Sequence, residues 1–190
     1  RKQMKFLNLA VSAVALSAIA LPACAATTLR IQTHYAADHP TGQIYQEFEK
    51  DIEVMSEGSI DIEMFWASSV VSSVETFDAA ANGILDCDMT GGSYQTGKNP
   101  AFQFVGDIMG GYDTPWQQYS WLYYGGGYDA AQDLYNKFGM QLIGWSIYGQ
   151  ESLSSSKPIR GFEDLKGWKF RSPPGLETEI FTGLGASPIV

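Results

Sequence analysis

Thr28-Leu29-Arg30-Ile31-Gln32-Thr33 alternates along its length, with Leu29, Ile31 and Thr33 on one face and Arg30 and Gln32 on the other, the two-residue period of a β-strand. After a short loop over residues 34–42, Ile44, Phe48, Ile52 and Met55 recur at three- and four-residue steps. That spacing predicts one helix with a single apolar stripe, ending near Gly58. Alternation returns over residues 59–66 through Ile60, Ile62 and Met64, and a second helical stripe follows through Val70, Val74, Phe77 and Ala81 before a short strand over residues 84–90. Strand, helix, strand, helix, strand is the order of an α/β layer with a mainly parallel sheet, whose ligands sit in loops at the carboxyl ends of the strands. His34, Tyr35, Trp66, Ser68 and the Gly91-Gly92-Ser93-Tyr94 turn all fall there.

Working outward, the aromatic-rich residues 116–124 lead into Gly125-Gly126-Gly127, read as a flexible connection to a helix carrying Ala131, Leu134, Tyr135 and Phe138, and then a strand over residues 140–147. The polar, serine-rich residues 149–157 read as a crossover. They divide the chain into a first α/β lobe over residues 26–148 and a partial second α/β lobe over residues 149–190. In the second lobe a helical turn closes at Asp164-Leu165-Lys166-Gly167, residues 168–172 form a strand, Pro173-Pro174-Gly175 a loop and residues 177–184 a helix. Ser187-Pro188-Ile189-Val190 then begins an extended element with no return partner, so a longer protein is expected.

Residues 1–25 read differently from the rest. Arg1, Lys2 and Lys5 precede an apolar run over residues 7–21, and Ala23-Cys24-Ala25 is a small-x-small cleavage site, the pattern of a secretory signal peptide that leaves Ala26 as the mature N-terminus. The run of about 15 residues is shorter than the ~20 needed to span a bilayer. The alternative is a lipoprotein box, Leu21-Pro22-Ala23-Cys24, lipidated at Cys24, in which a proline before the small residue is unusual.

Composition narrows the function. The 190 residues are 45% hydrophobic and 17% charged, a globular balance, with a net charge of −9. Without the leader, 9 basic residues face 21 acidic ones, a charge of −12, which excludes the cationic surface that nucleic acid requires. The exported part keeps one cysteine, Cys87, so it forms no internal disulfide; lacking basic neighbours, Cys87 reads as a buried structural thiol. Neither a G-x-S-x-G elbow, nor a Walker lysine, nor H-E-x-x-H occurs. His34 and His39, five apart in one loop near Asp38, could ligate a metal but read as exposed polar residues. Asp86 and Asp88 flank Cys87 at a strand end.

Arg171 is the informative charge. It follows Trp168, Lys169 and Phe170 in the strand over residues 168–172, near its carboxyl end and before the rigid proline loop, where a guanidinium can clasp a carboxylate through two parallel hydrogen bonds; the alternative is a structural bridge to Glu151 or Asp164. Tyr35 and Tyr94, at the ends of first-lobe strands, are expected to line the cleft opposite Arg171. A secreted enzyme using Asp86, Asp88 or His34 as base and Arg171 for binding is the competing reading, which lacks an orienting partner for its base.

Ser156-Lys157-Pro158-Ile159, Glu163-Asp164-Leu165-Lys166-Gly167-Trp168-Lys169-Phe170-Arg171-Ser172-Pro173 and Leu184-Gly185-Ala186-Ser187-Pro188 together closely resemble the substrate-binding proteins of tripartite ATP-independent periplasmic (TRAP) transporters, the DctP-like family. Thr76-Phe77-Asp78, Gly83 and Trp121-Leu122-Tyr123-Tyr124-Gly125-Gly126-Gly127 are similar as well, in the manner of the branch that binds 2-oxo acids and related carboxylates. The resemblance implies a type II periplasmic-binding-protein-like α/β fold with its second lobe incomplete. It implies a periplasmic receptor, not an enzyme, that delivers a small organic anion to TRAP membrane permease subunits. It also implies that Arg171 holds the ligand carboxylate and that Gln150, 21 residues earlier, contacts the ligand or a bound cation, Na⁺ or Ca²⁺.

Overall fold

In the computed structural model, residues 26–106, 108–147, 149 and 151–189 are described; the signal-peptide assignment over residues 1–25 and the Gln150 assignment lie outside them. The alternation at Thr28 does become a strand. β1 (Thr27–Thr33) is the centre of a three-stranded sheet, flanked in parallel by β2 (Ile60–Phe65) and β3 (Cys87–Met89), with Ile31 opposite both Met64 and Cys87. All three strands therefore point their carboxyl ends the same way, and the loops that follow them share one edge. α1 (Pro40–Met55) covers the first crossover. It starts where His39 Nδ1 accepts from Thr41 N at 3.1 Å and Pro40 supplies a pre-set helical φ.

The second crossover differs from the expected single helix over residues 70–81. A 3-10 turn (Ser73–Glu75) precedes α2 (Thr76–Ala81), and Val70 stands outside both. Gln32, fully buried in β1, is the cause: its Oε1 accepts from Val70 N at 2.8 Å and Val71 N at 3.2 Å, and its Nε2 donates to Thr76 Oγ1 at 2.6 Å. A buried carboxamide must be satisfied, and here it takes the amides a longer helix would have used. The helix then starts late, behind a capping box in which Ser72 N donates to Glu75 Oε2 at 3.3 Å. β3 is shorter than residues 84–90, because Ile84 N and Leu85 N are taken by Ala79 O at the end of α2 and the Asp86 carboxylate by Arg30.

α3 (Pro115–Tyr124) and α4 (Gly127–Asn136) follow. Their glycine link is tightly packed: a Cβ on Gly125 would lie 2.9 Å from Trp121 O and one on Gly127 2.8 Å from Leu122 Cα, while Gly126 has φ 89°. Phe77, Phe102, Val105, Ala131, Leu134 and Leu142 form the core against α4. The expected strand over residues 140–147 is absent; residues 141–147 pair with no strand and are held by side chains instead.

A second, two-stranded parallel sheet pairs β4 (Lys169–Arg171) with β5 (Ser187–Ile189) across α5 (Leu176–Gly183). Its core is Leu165, Phe181 and Ala186, with Phe170 stacked on Trp168 at 4.3 Å between ring centroids. Among the described residues, no helix is long and apolar enough to cross a membrane.

Candidate anion-binding site

β4 alternates, so burying Phe170 against Trp168 and Phe181 turns Lys169 and Arg171 to the opposite face. Arg171 is the last residue of the strand. The chain beyond it is fixed: Ser172 is fully buried, its N donates to Ile189 O at 2.8 Å, and Thr178 Oγ1 on α5 donates to Pro173 O at 2.8 Å. No sequence pattern announced Thr178, which acts through a backbone carbonyl five residues away.

On the other sheet, β3 leads into a 3-10 turn (Gly92–Gln95). Ser93 and Gln95 are buried and Gln95 Nε2 donates to Val74 O, so Tyr94 between them is turned outward. The two projections meet: Arg171 Nη2 donates to Tyr94 Oη at 2.9 Å, across 77 residues of sequence. Among the described residues Arg171 makes no ion pair; the bridge to Glu151 or Asp164 is not formed, and Asp164 instead accepts from Arg160 N at 2.8 Å. A guanidinium carries five N–H donors, and a neutral phenol answers one of them.

Behind Tyr94 stands an aromatic group whose packing order the sequence did not indicate. His34, at the carboxyl end of β1, is half-buried, not exposed, with its ring edge-on to Tyr94 at 5.9 Å and tilted on Tyr35 at 4.1 Å. Tyr35 stacks on His39 at 4.8 Å and lies 6.0 Å from Tyr45. Tyr35 is thus part of the wall, one ring behind Tyr94. His39 is exposed and serves as the cap of α1. Among the described residues no group of three or more His, Cys, Asp or Glu side chains gathers.

The acidic pair separates. The Arg30 guanidinium hydrogen-bonded to Asp86 holds its carboxyl below the usual range, while desolvation raises Asp88 to about 6 against the hydrogen bond from Thr90. Cys87 is half-buried, and burial together with Asp86 and Asp88 pushes its thiol up, keeping it protonated. Two hollows are present among the described residues, and neither includes the contact. One of about 300 Å³ separates Thr96, Pro100 and Gln103 from Pro174, Gly175 and Thr178; the other, about 670 Å³, lies beside Leu153, Ile159 and Phe162.

A profile of the DctP family, bacterial extracellular solute-binding protein family 7, matches residues 31–190. A monocarboxylate 2-oxoacid-binding periplasmic protein of Nostoc sp. PCC 7120 is 33% identical over 148 residues, 73% of this chain and 38% of that protein. Among solved structures, a TRAP transporter solute-binding protein of Bordetella bronchiseptica, with calcium and picolinate in its active site, superposes with a TM-score of 0.80 at 26% identity, covering 87% of this chain and 49% of that one. One from Pseudoalteromonas atlantica, with bound sodium and pyruvate, gives a TM-score of 0.72 at 27% identity, covering 86% and 50%. The chain thus spans about half the length, or less, of the proteins it matches.

Proposed function

Because the chain belongs to the DctP family of bacterial extracellular solute-binding proteins, we propose that it is the receptor of a TRAP transporter, capturing a small carboxylate, a 2-oxo acid in the first instance, and delivering it to membrane permease subunits. The observation that carries this reading is Arg171: a cation without a described carboxylate partner, held by Tyr94 from the opposite sheet. Residues 26–148 act as one lobe and residues 149–190 as part of the other. Ligand bound to Arg171 and touched by Tyr94 gains contacts from both lobes only when they close, which is what shifts the population toward the closed state. Since Tyr94 Oη accepts from Arg171, its own proton is free to donate to the ligand. Gln150 supplies a second contact, to the ligand or to a sodium or calcium ion held with it. Tyr35 backs this wall through His34.

Export rests on residues 1–25, removed before Ala26, with the protein then periplasmic; an intact mass beginning at lipidated Cys24 would sink that assignment. The enzyme alternative has no support: Asp86 is committed to Arg30, and the relatives are binding proteins by name. Calorimetric titration with pyruvate tests the clamp. Two charge-assisted hydrogen bonds at ~1.5 to 3 kcal/mol each make Arg171→Met bind at least ~100-fold more weakly. Arg171→Lys should recover little, since a point charge cannot reproduce the planar fork. Near wild-type affinity in Arg171→Met would overturn the reading.

A further inference from the structure

Residues 141–147 belong to no helix and no sheet, and yet their backbone is not free. Leu142 N donates to Gln132 Oε1 at 3.2 Å and Leu142 O accepts from Tyr128 Oη at 3.1 Å, both from α4. Trp145 Nε1 donates to Val105 O at 2.7 Å. The last of these clips is Tyr119 on α3. Its hydroxyl donates to Trp145 O at 3.4 Å and accepts from Ile147 N at 3.0 Å. In a parallel ladder, one residue of a strand uses its N–H and C=O on the carbonyl and amide that flank the residue opposite, two positions apart. A phenol is both donor and acceptor, and here a single oxygen makes that pair of bonds around Ser146.

We propose that the Tyr119 hydroxyl stands in for a strand partner and is the positioning residue that fixes where the chain leaves the first lobe. The inference rests on the two-lobe receptor reading. With Trp145 O and Ile147 N tied to α3, the exit stays with the first lobe, and movement of the second lobe is confined to the chain beyond Ile147. The ring itself is braced by Trp116 at 6.2 Å and Tyr123 at 6.0 Å, so its hydroxyl has little freedom. From Glu151 to Asp164 every residue is exposed, which marks how sharply the grip ends.

Tyr119→Phe removes the hydroxyl and keeps the ring. Tyr123→Phe is the matched control, since no hydrogen bond of its hydroxyl is recorded among the described residues. Hydrogen exchange and calorimetry with pyruvate, both on the intact protein, read the outcome. Exchange at the Ile147 amide should rise about tenfold in Tyr119→Phe, with the rest of the first lobe unchanged. Pyruvate affinity should fall several-fold in that variant while the control binds like wild type. Unchanged exchange at Ile147, a rise spread over the whole lobe, or local loosening with unaltered pyruvate affinity would each overturn the proposal. Absence of pyruvate binding in the wild type would count against the receptor reading and not against the clip, which then stands or falls on whether the exchange change is local.

Discussion

Asp88 carries a cost in the folded chain that the sequence conceals. Its carboxyl titrates near 6, raised by desolvation despite the 2.7 Å hydrogen bond from Thr90, and it sits directly before the turn that presents Tyr94. A carboxyl raised above its unfolded value binds its proton more tightly in the folded state, so the native state is favoured as the pH falls through 6 toward 4 and penalised above that window. From ~3.9 to about 6 the displacement corresponds to ~3 kcal/mol at most. Asp88→Asn, which retains an acceptor for Thr90, should therefore melt higher than wild type at pH 7 and lose most of that advantage at pH 4.5. Melting curves at the two values decide it; a variant advantage that does not shrink at pH 4.5 would remove Asp88 as the source. Arg171 was legible because a strand end followed by two prolines fixes where its side chain emerges. Its partner was less so. Strand ends put His34, Tyr35 and Tyr94 on one edge, but only the burial of Ser93 and Gln95 turns Tyr94 outward and leaves Tyr35 behind His34.

Among the elements, the turn into α5 lies against Thr96 and Gln103 of the first lobe. Gly175 has φ 105°, and a Cβ there would lie 3.0 Å from Thr96 Cγ2 and 3.5 Å from Gln103 Cβ. A side chain at this position is strained by the backbone and presses the two halves of the site apart. Gly175→Ala should destabilise by ~1 to 2 kcal/mol and weaken pyruvate binding measurably, since the displaced neighbour lies across the gap that Arg171 and Tyr94 span. Alanine tolerated in both melting and calorimetry would show that the contact yields freely. β1, β2 and α1 were readable because their periods of two and of three to four residues are written locally. The split of residues 70–81 was not, since it depends on Gln32, some forty residues upstream, claiming two amides. Residues 140–147 carry a strand-like apolar pattern, but the partners that satisfy their backbone are phenol and carboxamide groups from α3 and α4, which no local period encodes.

At the scale of the chain, residues 26–190 carry a charge of −12, and under the proposed function an anionic ligand must still enter. Magnitudes settle the balance. A unit charge ~20 Å away in water repels the ligand by ~0.2 kcal/mol, so an excess of twelve amounts to ~2.5 kcal/mol unscreened, against ~4 kcal/mol from one guanidinium at ~4 Å and an effective dielectric of 20. Screening widens the margin: with a Debye length of ~30 Å at 0.01 M salt about half of the repulsion survives, and at ~8 Å in 0.15 M about a tenth does. The short contact, inside either length, is little altered. Raising ionic strength across that range with choline chloride should thus tighten pyruvate binding by about fivefold, the reverse of an affinity built on long-range attraction. A tenfold loss over the same range would mean that an extended cationic surface, and not the single Arg171 fork, gathers the ligand. Repeating the series at constant ionic strength with sodium in place of choline separates the second contribution: any further tightening reports a cation bound with the ligand, and Gln150→Ala should abolish that increment while leaving the choline series intact.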